Sequence, residues 1–205
     1  MTPVILSRQQ LDRLWEIDRS EIIDTLYKLD NGQLQAYPQY YDVRGWDPHD
    51  RQVYTPIHEA CYDRGGIFFA FFEQNKIIAA AAMDTLPRGE KGDLRQLLFF
   101  YVGAAQRGQG WGRRLFDYAL QQLPALGASG LYISSIPNKS TVDFYLSQGC
   151  RLIDKPDPEL FALDSGDILL ICKTFWRRAA LKAKVKGINR RTDPGRGRDV
   201  CPGPA

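Results

Sequence analysis

The sequence predicts an α/β fold in which a mixed, mostly antiparallel central sheet is flanked by helices, and three observations carry that prediction. Apolar runs at 67–72, 77–83 and 94–102 are separated by turn-prone residues at Gln74-Asn75 and 87–92, as expected for successive antiparallel strands of a buried sheet. The third run leads into Gly112, Leu115, Phe116, Ala119, Leu120 and Leu123, whose spacing gives a helix with one apolar face. A strand-like segment at 131–136, a helical one at 140–148 and two more strand-like segments at 151–154 and 167–175 complete the alternation.

Taken in chain order, Ser7 with Gln10 three residues later forms a capping box ahead of Leu11, Leu14, Trp15 and Ile17, predicting a helix over 8–17. Two short runs over 22–37 flank Asp30-Asn31-Gly32, whose Asn-Gly step suits a tight hairpin, although a continued helix fits the same residues. Pro38, Pro48 and Pro56 lie among aromatic and charged residues and predict an irregular loop over 37–56, with a short helix at 56–63. Ser140 and Asp143 read as the capping box of the helix at 140–148.

Composition narrows the class. Of 205 residues, 44% are hydrophobic and 25% charged, enough to build one buried core with some spare chain. The longest apolar run, 97–105, is about half of the ~20 residues a membrane span requires, so no membrane partner is expected. The first residues lack a basic stretch ahead of an apolar one, which predicts a cytoplasmic protein. Four cysteines without a C-x-x-C pair or a histidine cluster argue against zinc and against a disulfide framework. Residues 177–205 hold nine basic and two acidic side chains, whereas the rest of the chain holds 18 basic and 22 acidic ones. The domain is therefore expected over 1–176. A basic helix can form at 177–185, followed by a flexible Gly- and Pro-rich tail.

The most informative segment runs from Tyr101-Val102 through Arg107-Gly108-Gln109-Gly110-Trp111-Gly112 into the amphipathic helix. A strand meeting a helix start points unsatisfied N–H groups and the positive end of the helix dipole at one place, which suits an anion. The glycines let the main chain approach a phosphate, and Arg107 and Arg113 offer positive charge. A P-loop would need Gly-Lys-Ser/Thr, and the dinucleotide fingerprint would need glycine at Arg113, so both fail; a plain turn packing helix on sheet remains the bland alternative.

The segment 107–112 resembles the R/Q-x-x-G-x-G/A turn of the GNAT superfamily of acyl-CoA-dependent N-acyltransferases, and Asn138, Phe144, Tyr145 and Gly149 resemble its second signature. Cys150 stands where that family usually has an aromatic. The resemblance covers roughly 3–175 and implies a sheet splayed at the cofactor site. Acetyl-CoA, or another acyl-CoA, would then be cosubstrate, with its pyrophosphate on the amides of 107–112 and its pantetheine arm between the strands ending near Val102 and Ser135. The N–H of Val102 or a neighbour would polarise the thioester carbonyl, and transfer would be direct, with no metal. Tyr145 matches the position that protonates the departing thiolate. Asn138 would bond the pantetheine or a bridging water, or else simply start a helix.

The base is harder to read. Many members of that family keep a Glu four or six residues before the final Val of the strand, where this sequence has Leu98 and Gln96. A water chain to Asp84, Asp93 or Glu73 and an acceptor of low pKa are the open alternatives. His58 reads as a core or surface histidine, and Cys150 as a structural thiol. Asp18, Glu21 and Asp42 could pair with a cationic amine, with Tyr40, Tyr41 or Trp46 walling it. The expected reaction is acyl transfer to the amine of a small-molecule or amino-acid-like acceptor. The rival from another class is an acyl-CoA-binding scaffold whose basic tail contacts nucleic acid. An exposed last strand would offer an edge for a homodimer.

Overall fold

The computed structural model describes residues 2–153, 156–163 and 165–174; the expected basic helix and tail beyond 176 lie outside them. Strand β1 (Val4–Ile5) leads to a 3-10 helix (Arg8–Glu16), where the Ser7 N–H donates to Gln10 Oε1 at 2.9 Å. The capping box is therefore present as read, but the helix it opens is the tighter 3-10 kind.

The next stretch departs most from expectation. Strands β2 (Glu21–Asp30) and β3 (Gln33–Val43) form a hairpin far longer than the two short runs predicted, and the helical alternative is excluded. Asn31 and Gly32 both have positive φ, 47° and 77°, the geometry that a two-residue turn matching strand twist requires. Helix α1 (Pro48–Asp63) takes up residues 48–56 of the expected loop and continues through the short helix expected at 56–63. Its start was readable: Asp47 accepts the His49 N–H at 2.8 Å, Asp50 reaches back to the Asp47 N–H, and Pro48 occupies the first turn, where its missing donor costs nothing. Pro56 lies inside the helix rather than before it.

Strands β4 (Ile67–Glu73), β5 (Lys76–Arg88) and β6 (Leu94–Val102) form the expected antiparallel meander, turning at Gln74 and Asn75 with φ 46° and 65°. Helix α2 (Trp111–Gln122) crosses over to β7 (Gly130–Ser135), which pairs parallel with β6. Helix α3 (Lys139–Ser147), β8 (Arg151–Leu152), a short α4 (Pro158–Leu163) that sequence patterning missed, and β9 (Ile168–Lys173) follow. The seven-stranded sheet has the order β1-β4-β5-β6-β7-β9-β8, with β6 and β7 its one parallel pair. Strand β9 is not the exposed edge that sequence suggested; β8 covers it.

Alternation sorts β4 and β5 between two cores. Phe69, Phe71, Ala79, Ala81 and Met83 face Leu115, Phe116 and Ala119 of α2, while Phe68, Ala70, Ala80, Ala82 and Phe99 face Leu11, Leu14 and Ile17. The four alanines of β5 present only methyl groups to either side, and each is wholly buried.

Candidate active site

Pairing between β6 and β7 is confined to Leu94↔Gly130, Arg95↔Leu131 and Gln96↔Tyr132. Beyond Gln96 the strands part, and one extra residue in β6, between Leu97 and Phe99, breaks the register with β5 at the same level. The opening is a cleft of about 560 Å³. Its walls are Leu97, Leu98 and Phe100 to Val102 on one side and Ser134 to Ile136 on the other; Gly108, Gly110 and Gly112 line its upper end, and Phe144 and Tyr145 of α3 also face it.

The lip of β6 carries unspent main-chain groups. The Gly103 N–H donates to the Ile78 carbonyl at 2.8 Å, so the N–H of Val102, one residue earlier, faces the opposite edge, where β7 no longer pairs. Above it, Gly108 and Gly110 have φ of 74° and 84°, left-handed values, and a Cβ on either would meet nothing within 4 Å. Gly110 caps α2, whose first intrahelical bond runs from the Arg114 N–H to the Gly110 carbonyl, leaving the amides of 111–113 unused by the helix. Bare backbone, free donors and the positive helix end meet over the cleft, a cradle that fits a diphosphate.

The residues 24–150 match the family model "Acetyltransferase (GNAT) family". The chain belongs to the acetyltransferase (GNAT) family. No curated protein matches it. Among solved structures it is similar to a nourseothricin acetyltransferase (15% identity, 82% of this chain and 94% of that one, TM-score 0.58). It is also similar to the paia N-acetyltransferase of Thermoplasma acidophilum in complex with coenzyme A (15% identity, 84% and 99%, TM-score 0.55). A third likeness is to a GNAT-family acetyltransferase of Staphylococcus aureus Mu50 (20% identity, 62% and 80%, TM-score 0.51). At these identities the likeness is one of fold.

As a GNAT acetyltransferase the chain has its expected site residues gathered, with differences. Tyr101, Val102, Arg107, Gly108, Gly110, Gly112 and Tyr145 line the cleft, whereas Gln109, Trp111 and Asn138 do not. The Gln109 side chain donates to the Ala105 carbonyl at 2.7 Å, and Trp111 packs on Phe71. Asn138, not Ser140 with Asp143, caps α3: its Oδ1 accepts the Ser140 N–H at 3.1 Å. Asp143 is turned outward to the Tyr27 hydroxyl and Lys139. The Asn138 Nδ2 is buried with no hydrogen-bond partner among the described residues.

Arg107 holds backbone instead of offering its guanidinium outward. It donates to the carbonyls of Val102, Ser20 and Arg19 at 3.2, 2.8 and 3.3 Å, clamping the end of β6 to the segment that enters β2. Burial holds the Tyr145 hydroxyl well above the ordinary phenol range, with Cys150 and Tyr101 adding to the effect, so it keeps its proton across the neutral and mildly alkaline range. Phe144 packs against Phe100 and the Cα of Gly112, where a Cβ would come within 3.3 Å of its ring.

The histidine and the carboxylates considered as the end of a water chain are elsewhere. His58 is buried against Trp15, Phe68 and Phe99, and that burial depresses its pKa to about 4. Asp84 is bound by Arg64 at 2.8 Å, Asp93 by Lys173 and Ser129, and Glu73 accepts from Gln106; none of these carboxylates reaches the cleft. Among the polar cleft residues that sequence reasoning missed are Ser134, Thr141 and Gln148, which belong to no spacing motif and become neighbours only through the parted strands.

Proposed function

We propose that the chain transfers an acetyl group from acetyl-CoA directly to the amine of a small-molecule acceptor. The observation that carries the reading is the parting of β6 from β7 below an open, glycine-lined helix start. On this reading the amides of 108–113 hold the diphosphate, and the two lips of the cleft receive the pantetheine arm. The cosubstrate supplies an activated acyl group as its thioester. The Val102 N–H donates to the thioester oxygen as that oxygen gains charge, an interaction worth most where it strengthens during the reaction. Tyr145 delivers its proton to the sulfur as the C–S bond breaks.

The acceptor side is built from the β2–β3 hairpin and the segment before it. Arg19 sits over the Trp46 ring at 4.8 Å while paired with Asp50 at 2.7 Å, and Trp46 in turn packs on Tyr101. That wall is aromatic and charged, which suits a polar amine. The nourseothricin acetyltransferase, which shares the fold, is consistent with a small amine acceptor. The test is twofold. Acetyl-CoA should raise the thermal midpoint of the full chain by mass action, and a panel of primary amines should include members that release free CoA from it. Absence of both effects would refute the reading.

A further inference from the structure

An alkylamine with a pKa of ~10.4 is almost wholly protonated at neutral pH, so acyl transfer needs a group that removes a proton before attack. Strand β6 has no carboxylate, only Leu98 and Gln96, at the places where sequence reasoning looked for one. Among the described residues one carboxylate lines the cleft, and it comes from a different element: Glu21, the first residue of β2.

We propose that Glu21 is the proton acceptor for the incoming amine, a proposal that rests on the acyl-transfer reading above. Strand alternation places Glu21 and Ile23 on the cleft side, and Val43, the register partner of Glu21, lies there too. The carboxylate is held from two other elements. The Ser140 hydroxyl at the start of α3 donates to Oε1 at 3.1 Å, and Arg107 Nη1 lies 3.9 Å from Oε2. Arg107 also grips the Ser20 carbonyl just before it, so the backbone and the side chain of this acid are fixed by one guanidinium.

Glu21 also opens onto a second, shallow cavity lined by residues 20–22 and 42–44, and its side chain is 24% exposed. It thus stands between the transfer cleft and water. The charged and titratable groups around it are Arg107, Arg19, Arg113, Tyr101 and Tyr145 in the cleft, and Asp42, paired with Arg44 at 2.9 Å, in the shallow cavity.

The step balances as follows. The acceptor ammonium gives one proton to Glu21, the freed nitrogen lone pair forms the C–N bond, and the C–S electron pair leaves on sulfur, which takes the Tyr145 proton. The new amide nitrogen loses its second proton, which returns through water to Tyr145, and Glu21 discharges its own through the shallow cavity. One proton is released per turnover.

The test compares wild type with Glu21→Gln, which preserves shape and the Ser140 contact. Substrates are the best alkylamine from a primary-amine panel and its aminooxy analogue, a weak base that is already neutral at pH 7. Glu21→Gln should lower kcat for the alkylamine by about 10²-fold or more at pH 7, leaving the acetyl-CoA Kd and the thermal midpoint unchanged. The lost rate should return by about tenfold per pH unit as the amine deprotonates itself. For the aminooxy analogue the loss should shrink to a few-fold, and Glu21→Asp should recover part of the alkylamine rate. Equal losses for both nucleophiles, or a raised KM with kcat intact, would overturn the assignment by making Glu21 an anchor and not a base. A wild-type chain that acetylates no amine would overturn the functional reading along with it.

Discussion

The Arg107 guanidinium donates to the Ser20 carbonyl at 2.8 Å across 87 positions of sequence, tying the glycine turn to the segment that enters β2. Lysine at 107 retains the charge but cannot serve three carbonyls in a fixed fork. Arg107→Lys should therefore lower stability by about 2 kcal/mol and raise the KM for the amine, while the acetyl-CoA Kd changes less than about threefold. Denaturant titration and steady-state kinetics check this, and a selective loss of CoA affinity would return the side chain to the diphosphate.

A second expectation isolates the opening above α2. Alanine at Gly110 would clash with nothing yet would hold a left-handed backbone, costing about 1–2 kcal/mol. Gly127, with φ 61° and equally open space, provides the matched control, just past the 3-10 turn (Leu123–Leu126) that follows α2. Both variants should lose similar stability, but only Gly110→Ala should weaken acetyl-CoA binding, by about tenfold or more. Gly110→Asp should weaken it further through charge. Calorimetric titration of both alanine variants checks the pair.

Tyr145→Phe removes one buried hydroxyl and nothing else. Turnover should fall by about 10²-fold with the acetyl-CoA Kd unchanged, the signature of an interaction made only as the reaction proceeds. Because burial raises the pKa of Tyr145, the wild-type rate should show no alkaline fall from this group as pH passes through 9. A variant with full activity would remove Tyr145 from proton delivery.

His58 sets a pH dependence of stability remote from the site. Its pKa is about 4 in the fold against 6.5 when free, so the unfolded chain binds the extra proton between those values. Stability is complete above pH ~6.5 and should be lost as pH falls toward 4, by about 3 kcal/mol in all. His58→Phe should flatten that portion of the profile. Thermal unfolding at several pH values measures the difference, and an unchanged slope would point to another group.

The meander, the crossover helix and the strand after it were legible because each carries a clear apolar period, and the glycine turn because its residues are adjacent in sequence. The region between 37 and 56 was not. Prolines there suggested a loop, yet Pro38 sits in a hairpin strand outside the main sheet, where a missing donor matters little, and Pro48 starts a helix. Asp47 and Asp50 signalled that helix start, a cue weaker to the eye than three prolines. At α3 two caps competed, and Asn138 prevailed because the Leu26–Asn138 bridge fixes its backbone against β2. Glu21 was readable as a candidate acid, but its place beside Ser140 depends on a contact spanning 119 residues, which no local pattern records.

The run Ala79 to Ala82 sets where this enzyme can vary. With single methyls at its midline, the sheet lets α2 settle close on one side and the aromatic layer on the other, and a branched residue at 80 or 81 would lever one of them away. On the reading proposed above, variation in what the chain accepts falls instead to the ribbon formed by residues 21–43, whose second strand is mostly exposed.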